Sequence, residues 1–180
     1  MFAVMQARGR NLFAHAVRSR AGTAAIAFAE AGGAIAEQII APGQREKTMD
    51  ETQWQTLIAA AKAVSARAYC PYSRFAVGAA IRTADGRVFS GCNVENASYG
   101  LTICAERNAV FHAVAAGARD IVAIAVYTPT SAFATPCGAC RQVLLEFAAN
   151  AEVLCIGDGS EQGRFTVTSL MPNAFELPPA

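Results

Sequence analysis

Three short stretches of this 180-residue chain bring chemically capable side chains close together. Cys137-Gly-Ala-Cys140 is a C-x-x-C pair, Cys104-Ala-Glu106 places a carboxylate two residues past a thiol, and Asn93-Val-Glu95 alternates an amide with a carboxylate. A lone C-x-x-C has several meanings: half of a zinc knuckle, a redox pair, or coincidence. A structural four-cysteine site needs a second such pair, and the sequence has none. A thioredoxin-like pair follows the first strand of its fold, whereas this one comes late, behind Thr135-Pro136. What remains is a metal site completed from elsewhere, and Cys104, also heading a predicted helix, can complete it. Three thiolates leave one corner of a tetrahedral zinc open to water, as catalytic zinc requires.

Such a site makes demands on its surroundings. Zinc can lower the pKa of bound water from about 15.7 toward 7, yet three thiolates overcompensate its charge and weaken it as a Lewis acid. Two helix N-termini directed at the sulfurs would restore positive character, and Arg107, beside Glu106, would add a full charge. Glu106 can reach the open side of the metal without coordinating it, where a carboxylate can move protons. An arbitrary glutamate in the first turn of a helix is instead a solvated residue favoured by the dipole. It is the company of the cysteines that singles this one out.

The elements that must hold these residues can be read from periodicity. Trp54, Leu57/Ile58, Ala61, Val64/Ser65 and Ala68 recur at helical spacing, with capping boxes Thr48/Glu51 and Asp50/Gln53 competing for the start and Pro71 closing the segment. Phe75–Thr83 and Val88–Val94 read as a hairpin around Ala84-Asp85-Gly86-Arg87. Alternation in the returning strand sets Asn93 and Glu95 on one side, opposite Val94. A helix follows over Ile103–Ala116, then an apolar strand over Ile121–Thr128 of the kind covered on both faces. The next helix, Gly138–Ala149, buries Cys140, Val143, Leu144, Phe147 and Ala148 and turns Arg141, Gln142 and Glu146 outward. Strands at Glu152–Gly157 and Arg164–Thr168 and a helical turn near Ser169 complete an α/β domain with a mixed sheet between helices.

Composition narrows the function classes. Fifteen Lys/Arg against fourteen Asp/Glu give a net charge of +1, so no overall basic field exists to hold a nucleic-acid backbone. No apolar run approaches the roughly 20 residues that span a bilayer, so no membrane role is expected. Forty residues are alanine, which suggests a core resting on the Val, Ile, Leu and Phe. The charge is unevenly spread: residues 1–48 hold six Lys/Arg and three Asp/Glu, residues 49–180 nine and eleven. All six cysteines lie in the second part. The first is expected to be an extension of unassigned role: a dispensable upstream stretch, a helical appendage or a targeting segment.

Taken together, Tyr69-Cys-Pro-Tyr-Ser-Arg-Phe-Ala-Val-Gly78, Gly91-Cys-Asn-Val-Glu-Asn-Ala-Ser-Tyr99, Cys104-Ala-Glu-Arg107 and Pro136-Cys-Gly-Ala-Cys-Arg-Gln142 resemble the small zinc-dependent cytidine deaminases of pyrimidine salvage. The resemblance covers residues 69–180, and the helix before them also falls in the family's place. It implies a three-layer α/β/α sandwich around a mixed five-stranded sheet. It implies one Zn²⁺ per subunit on Cys104, Cys137 and Cys140, Glu106 as the proton shuttle, and Asn93 and Glu95 on the ribose hydroxyls. Phe75 matches the family's aromatic beside the cytosine ring. Ala97 and Tyr99 fall in its pocket-lining segment, and Phe175 where a C-terminal aromatic is offered to a neighbouring subunit. A homotetramer with shared sites is the family's usual form.

The function so implied is hydrolytic deamination of cytidine and 2′-deoxycytidine, with zinc-bound hydroxide attacking C4 and Glu106 carrying protons to N3 and the leaving amine. Rivals are a deaminase of another nucleoside-like compound, such as a cytosine-containing antibiotic, a deaminase of polynucleotide bases, and a non-catalytic zinc-stabilised binding protein. The last has no use for Glu106 or for Asn93 and Glu95. Cys70, Cys92 and Cys155 read as buried, reduced thiols of a cytoplasmic protein, and His112, two turns past Cys104, as an ordinary helix histidine. His15 lies in the extension and has no assigned role.

Overall fold

The computed structural model describes residues 49–175; the readings of residues 1–48, and of Thr48 as a cap, lie outside the described residues. Helix α1 (Glu51–Ser65) starts at Asp50, whose carboxylate takes the Gln53 N–H at 2.8 Å while Gln53 Oε1 takes the Asp50 N–H at 3.1 Å. It stops at Ser65, well before Pro71, because the chain there turns to pair with another segment: Tyr69 N–H donates to Asn93 O at 3.0 Å.

Five strands, β1 (Gly78–Thr83), β2 (Val88–Cys92), β3 (Ile121–Tyr127), β4 (Glu152–Ile156) and β5 (Gln162–Thr166), form one mixed sheet in the order β2-β1-β3-β4-β5. The β1–β2 hairpin closes through Gly86 N–H to Thr83 O and Thr83 N–H to Arg87 O, with Gly86 at φ 86°, a conformation glycine adopts without strain. Strand β1 is antiparallel to β2 and β3, and β3 is parallel to β4. Strands β2, β3 and β4 therefore run the same way. Helix α2 (Ala105–Ala115) follows β2 and α3 (Gly138–Ala148) follows β3, so both helices begin at the same carboxyl edge of the sheet. Open α/β sheets hold ligands outside this edge.

The layers match the expected sandwich. Trp54, Leu57 and Ala61 of α1 cover one face, against Ala80, Ala123, Ala125 and Leu154. On the other face α2, α3 and the short α4 (Val167–Leu170) pack Val110, Leu144, Val167 and Leu170 against Ile81, Ile124, Val126 and Val153. Alanine adds more to the core than the expected reliance on Val, Ile, Leu and Phe suggests: Ala79, Ala105, Ala109 and Ala113 are fully buried. Their small side chains bring helix α2 close to the sheet. Gly91 on β2 continues this, since a Cβ there would lie 2.5 Å from Ala109 N and 2.8 Å from Ala105 O. Both strands of the hairpin are shorter than the sequence suggests, for a reason that belongs to the site.

Candidate active site

Both helix starts carry a thiol where a serine, threonine or acid would ordinarily cap. Cys104 is the N-cap of α2 and Cys137 that of α3, each in extended backbone (φ −72°, ψ 157° and φ −68°, ψ 166°), and neither side chain caps its own helix. Cys140 lies buried in the first turn of α3. The three Sγ atoms lie within 4.8 Å of one another, with Cys104 and Cys137 3.8 Å apart. A tetrahedral zinc with bonds of about 2.3 Å sets its sulfurs about 3.8 Å apart, so the donor set fits that ion. The fold thus delivers three soft donors to the positive ends of two helices, as the sequence led us to expect.

The electrostatics of the thiols alone shows why a cation belongs here. Three sulfurs this close cannot all ionise unaided. A hydrogen bond from Cys140 and, after burial's opposing effect, one from Arg107 bring Cys104 down to about 5, whereas Cys140 is pushed upward by sharing that bond and by burial. Arg107 Nη2 lies 3.5 Å from Cys104 Sγ and 3.0 Å from Thr102 O, and its pKa is raised chiefly by the Cys104 contact. Its Nε is buried with no hydrogen-bond partner among the described residues, a cost accepted where the guanidinium serves the thiolates. Glu106 is only 5% exposed. Burial, opposed by its backbone N–H and aided by the Cys104 charge, raises its pKa above the usual carboxylate range.

Asn93 and Glu95 are placed differently from the sequence reading. Strand β2 ends at Cys92 and β1 begins at Gly78, so neither residue belongs to a regular strand face. The cause is Asn93 itself: its N–H still donates to Val77 O at 3.2 Å, but its buried amide takes over the reciprocal bond, Oδ1 accepting from Val77 N–H while Nδ2 donates to Phe75 O, both at 2.8 Å. Glu95 Oε2 accepts the Tyr72 N–H at 2.9 Å and the Ser73 N–H at 3.2 Å, and the Ser73 side chain with these N–H groups holds its carboxyl below the usual range. Together they grip the 72–77 loop and so place Phe75, which is 40% exposed. Tyr99 meets Tyr72 edge-on at 6.0 Å in a short 3₁₀ helix (Tyr99–Leu101). Ala97 is exposed nearby in sequence, and Phe175 presents an exposed ring while its carbonyl accepts from Gln142 Nε2 at 3.2 Å.

Other residues now join the site that the motifs left without a role. Thr102 links its two halves, its Oγ1 taking the Asn96 N–H at 3.1 Å and its carbonyl holding Arg107. Asn108 Nδ2 ties α2 to Cys92 O at 2.8 Å. Both lie just outside the quoted motifs, and only the fold says what they touch. Arg141 and Gln142, expected to face outward, are half-buried and bonded to loops, so only Glu146 of that trio is exposed. His112 is satisfied structurally, with Nδ1 3.3 Å from Ser90 O and its ring edge-on to Phe89 at 5.2 Å. Cys70, Cys92 and Cys155 are free thiols, but only Cys155 is buried as expected, Cys70 and Cys92 lying on partly exposed loop and strand-end positions; burial first of all pushes Cys155 up to about 12.

Fold and site together define an α/β protein with a three-cysteine cluster able to hold a metal at the starts of two helices on one sheet edge, beside a buried carboxyl. The family model for the cytidine and deoxycytidylate deaminase zinc-binding region matches residues 51–156, and the chain belongs to that family. It is 52% identical over 124 residues to the cytidine deaminase of Halalkalibacterium halodurans, covering 63% of this chain and 89% of that one. With the Mycobacterium tuberculosis cytidine deaminase the identity is 45% over 129 residues, 72% of this chain and 94% of that one. The crystal structure of the Burkholderia pseudomallei cytidine deaminase superposes with a TM-score of 0.66 at 49% identity, spanning 71% of this chain and all (100%) of that one. No helix among the described residues is long and apolar enough to cross a membrane.

Proposed function

We propose that the protein hydrolyses the exocyclic amine of cytidine and 2′-deoxycytidine, giving uridine or 2′-deoxyuridine and ammonia. The observation that carries this reading is the burial of Glu106 against a three-thiol cluster spaced for zinc. Cys104, Cys137 and Cys140 would hold the metal, whose contribution is an activated water. Glu106 does the proton work. It takes a proton from the attacking water and passes it to ring N3, then carries the proton left on the new C4 oxygen to the departing amine, ending in the state in which it began. Arg107 tempers the charge of the thiolates. Asn93 and Glu95 orient the ribose: Glu95 holds the loop through Oε2, leaving Oε1 to accept a sugar hydroxyl.

The nucleoside end is completed in this proposal by other copies of the chain, in a homotetramer that covers Tyr99 and receives Phe175. The exposure of these rings, 74% and 70%, supports it. Residues 49–180 form the catalytic unit, and the expected compartment is the cytoplasm. Ammonia release should be followed for cytidine, for 2′-deoxycytidine and for cytosine-containing single-stranded DNA, before and after zinc removal. Release from the nucleosides that ceases without zinc and returns on its readdition supports the reading. Release from the DNA alone, or release independent of zinc, overturns it.

A further inference from the structure

Arg141 follows the Cys140 ligand directly, and every nitrogen of its guanidinium is committed. Nε donates to Pro136 O at 2.7 Å, Nη2 to Thr135 Oγ1 at 3.2 Å, and Nη1 to Leu170 O at 3.0 Å. The first two acceptors belong to the residues that lead into Cys137. The third is the last residue of α4, 29 positions along the chain. Pro136 is fully buried, and as a proline it can offer only its carbonyl, which Arg141 takes. One residue further, Gln142 Nε2 holds the carbonyl of Phe175. Two consecutive side chains of α3 thus fasten the approach to Cys137 on one side and the C-terminal stretch on the other.

We infer that Arg141 is a positioning residue of the metal centre: its guanidinium fixes the Thr135-Pro136 turn so that Cys137 Sγ stands at ligand distance from Cys104, and ties that turn to the end of α4. The planar fork matters more than the charge. Lysine has no fixed set of donors at three angles and can satisfy at most part of the arrangement. Cys137 needs such support more than its partners do. Cys140 is buried within α3 and Cys104 is bonded by Arg107, whereas Cys137 is exposed and begins its helix after a loop with little regular structure. Groups of this kind orient metal ligands, and their loss typically costs about 10–100-fold in affinity or activity.

The inference rests on the three cysteines holding zinc, and the test separates the two. Zinc release from the holoenzyme to a chromogenic chelator is timed for wild type, Arg141→Gln, Arg141→Lys and Thr135→Val. Leu57→Val, which thins the core under α1 on the opposite face of the sheet, serves as a control for general destabilisation. Arg141→Gln should release zinc at least tenfold faster, with Arg141→Lys and Thr135→Val between it and wild type. The absorption bands of cobalt-substituted enzyme should shift in the Arg141 variants, and kcat should fall more than KM rises. Leu57→Val should lower the melting temperature with zinc release within about twofold of wild type. Arg141 variants that keep wild-type release and an unshifted cobalt spectrum overturn the inference, as does equal acceleration by Leu57→Val. If Arg141→Gln does not fold, Arg141→Lys and Thr135→Val decide on the same criteria. A wild-type chain that binds neither zinc nor cobalt overturns the metal-site reading itself, and Arg141's role with it.

Discussion

The two halves of the site are built to different standards of enclosure. Around the thiols, most functional groups are held by the fold. Cys140 and Glu106 are buried, Cys104 and Cys137 begin helices that pack on the sheet, and Arg107 Nη2 bonds both Thr102 O and Cys104 Sγ, with Cys137 alone exposed among the three thiols. Around the loop gripped by Asn93 and Glu95 the rings of Tyr69, Tyr72, Phe75 and Tyr99 stand between 40% and 74% exposed. A single chain therefore encloses the Glu106 carboxyl but leaves these rings open. The contrast teaches that burial is concentrated on the thiol cluster and its carboxyl, whereas the aromatic loops beside it are left open in a single chain.

This division can be tested variant by variant. The largest effect is expected at Glu106. Glu106→Ala should retain full zinc, measured by metal analysis, while ammonia release falls by roughly 10²–10⁴-fold, the range of a lost general acid–base group. Near-normal turnover would remove Glu106 from the chemistry. Arg107→Gln should come next, because a hydrogen bond to a charged group is worth about 1.5–3 kcal/mol. Zinc retention or kcat should drop about tenfold or more, with KM little changed. Asn93→Ala addresses the other half. It frees Phe75 O and Val77 N–H, a loss of about 1–3 kcal/mol, and should raise KM while zinc release stays as in wild type. If Asn93→Ala lost zinc as readily as Arg107→Gln, the two halves would not be separable.

The smallest effect is expected in the hairpin, remote from both halves. The Asp85 carboxyl lies below its ordinary value mainly through its hydrogen bond from Thr83, with Arg87 contributing. A depressed folded-state pKa contributes stability above the unfolded value of about 3.8 that is lost as pH falls through the folded value. Asp85→Asn should therefore flatten the acid limb of stability below about pH 4, weakly because the pair is half exposed, without altering zinc retention or turnover at neutral pH. Thermal melts across acid pH read this out.

Much of the metal half was legible because its signal lies in residue types at short spacing: Cys137 and Cys140 within one turn, Cys104 beside Glu106. The parallel course of β2, β3 and β4, which brings the two helix starts together, follows from strand pairing and could only be inferred through the family pattern. Asn93 was legible as a polar residue of the site but not as the group that ends two strands. Its partners lie 16 and 18 residues away, beyond the reach of any local periodicity. Arg141 was misread because helical periodicity sorts only inside from outside, and a long side chain can leave the outer face to bind a neighbouring loop. The alanines were undervalued for a related reason: their contribution is the proximity they permit, which composition does not register.

One consequence of the strand order reaches beyond catalysis. Cys104 follows β2 and Cys137 follows β3, and these strands are not neighbours, being separated by β1. A metal joining their thiols acts as a tie-rod across two strand spacings, about 9–10 Å, and closes a long loop of chain. A covalent bond closing a loop of that length would contribute about 3–4 kcal/mol, and a metal clip acts in the same sense if not to the same extent. The strand it restrains is β2, which lies at an open margin of the sheet where unpaired backbone invites pairing with other chains. Metal bound for chemistry thereby also guards that margin, and stripping it should loosen the β1–β2 hairpin first and leave the protein prone to self-association before it unfolds as a whole.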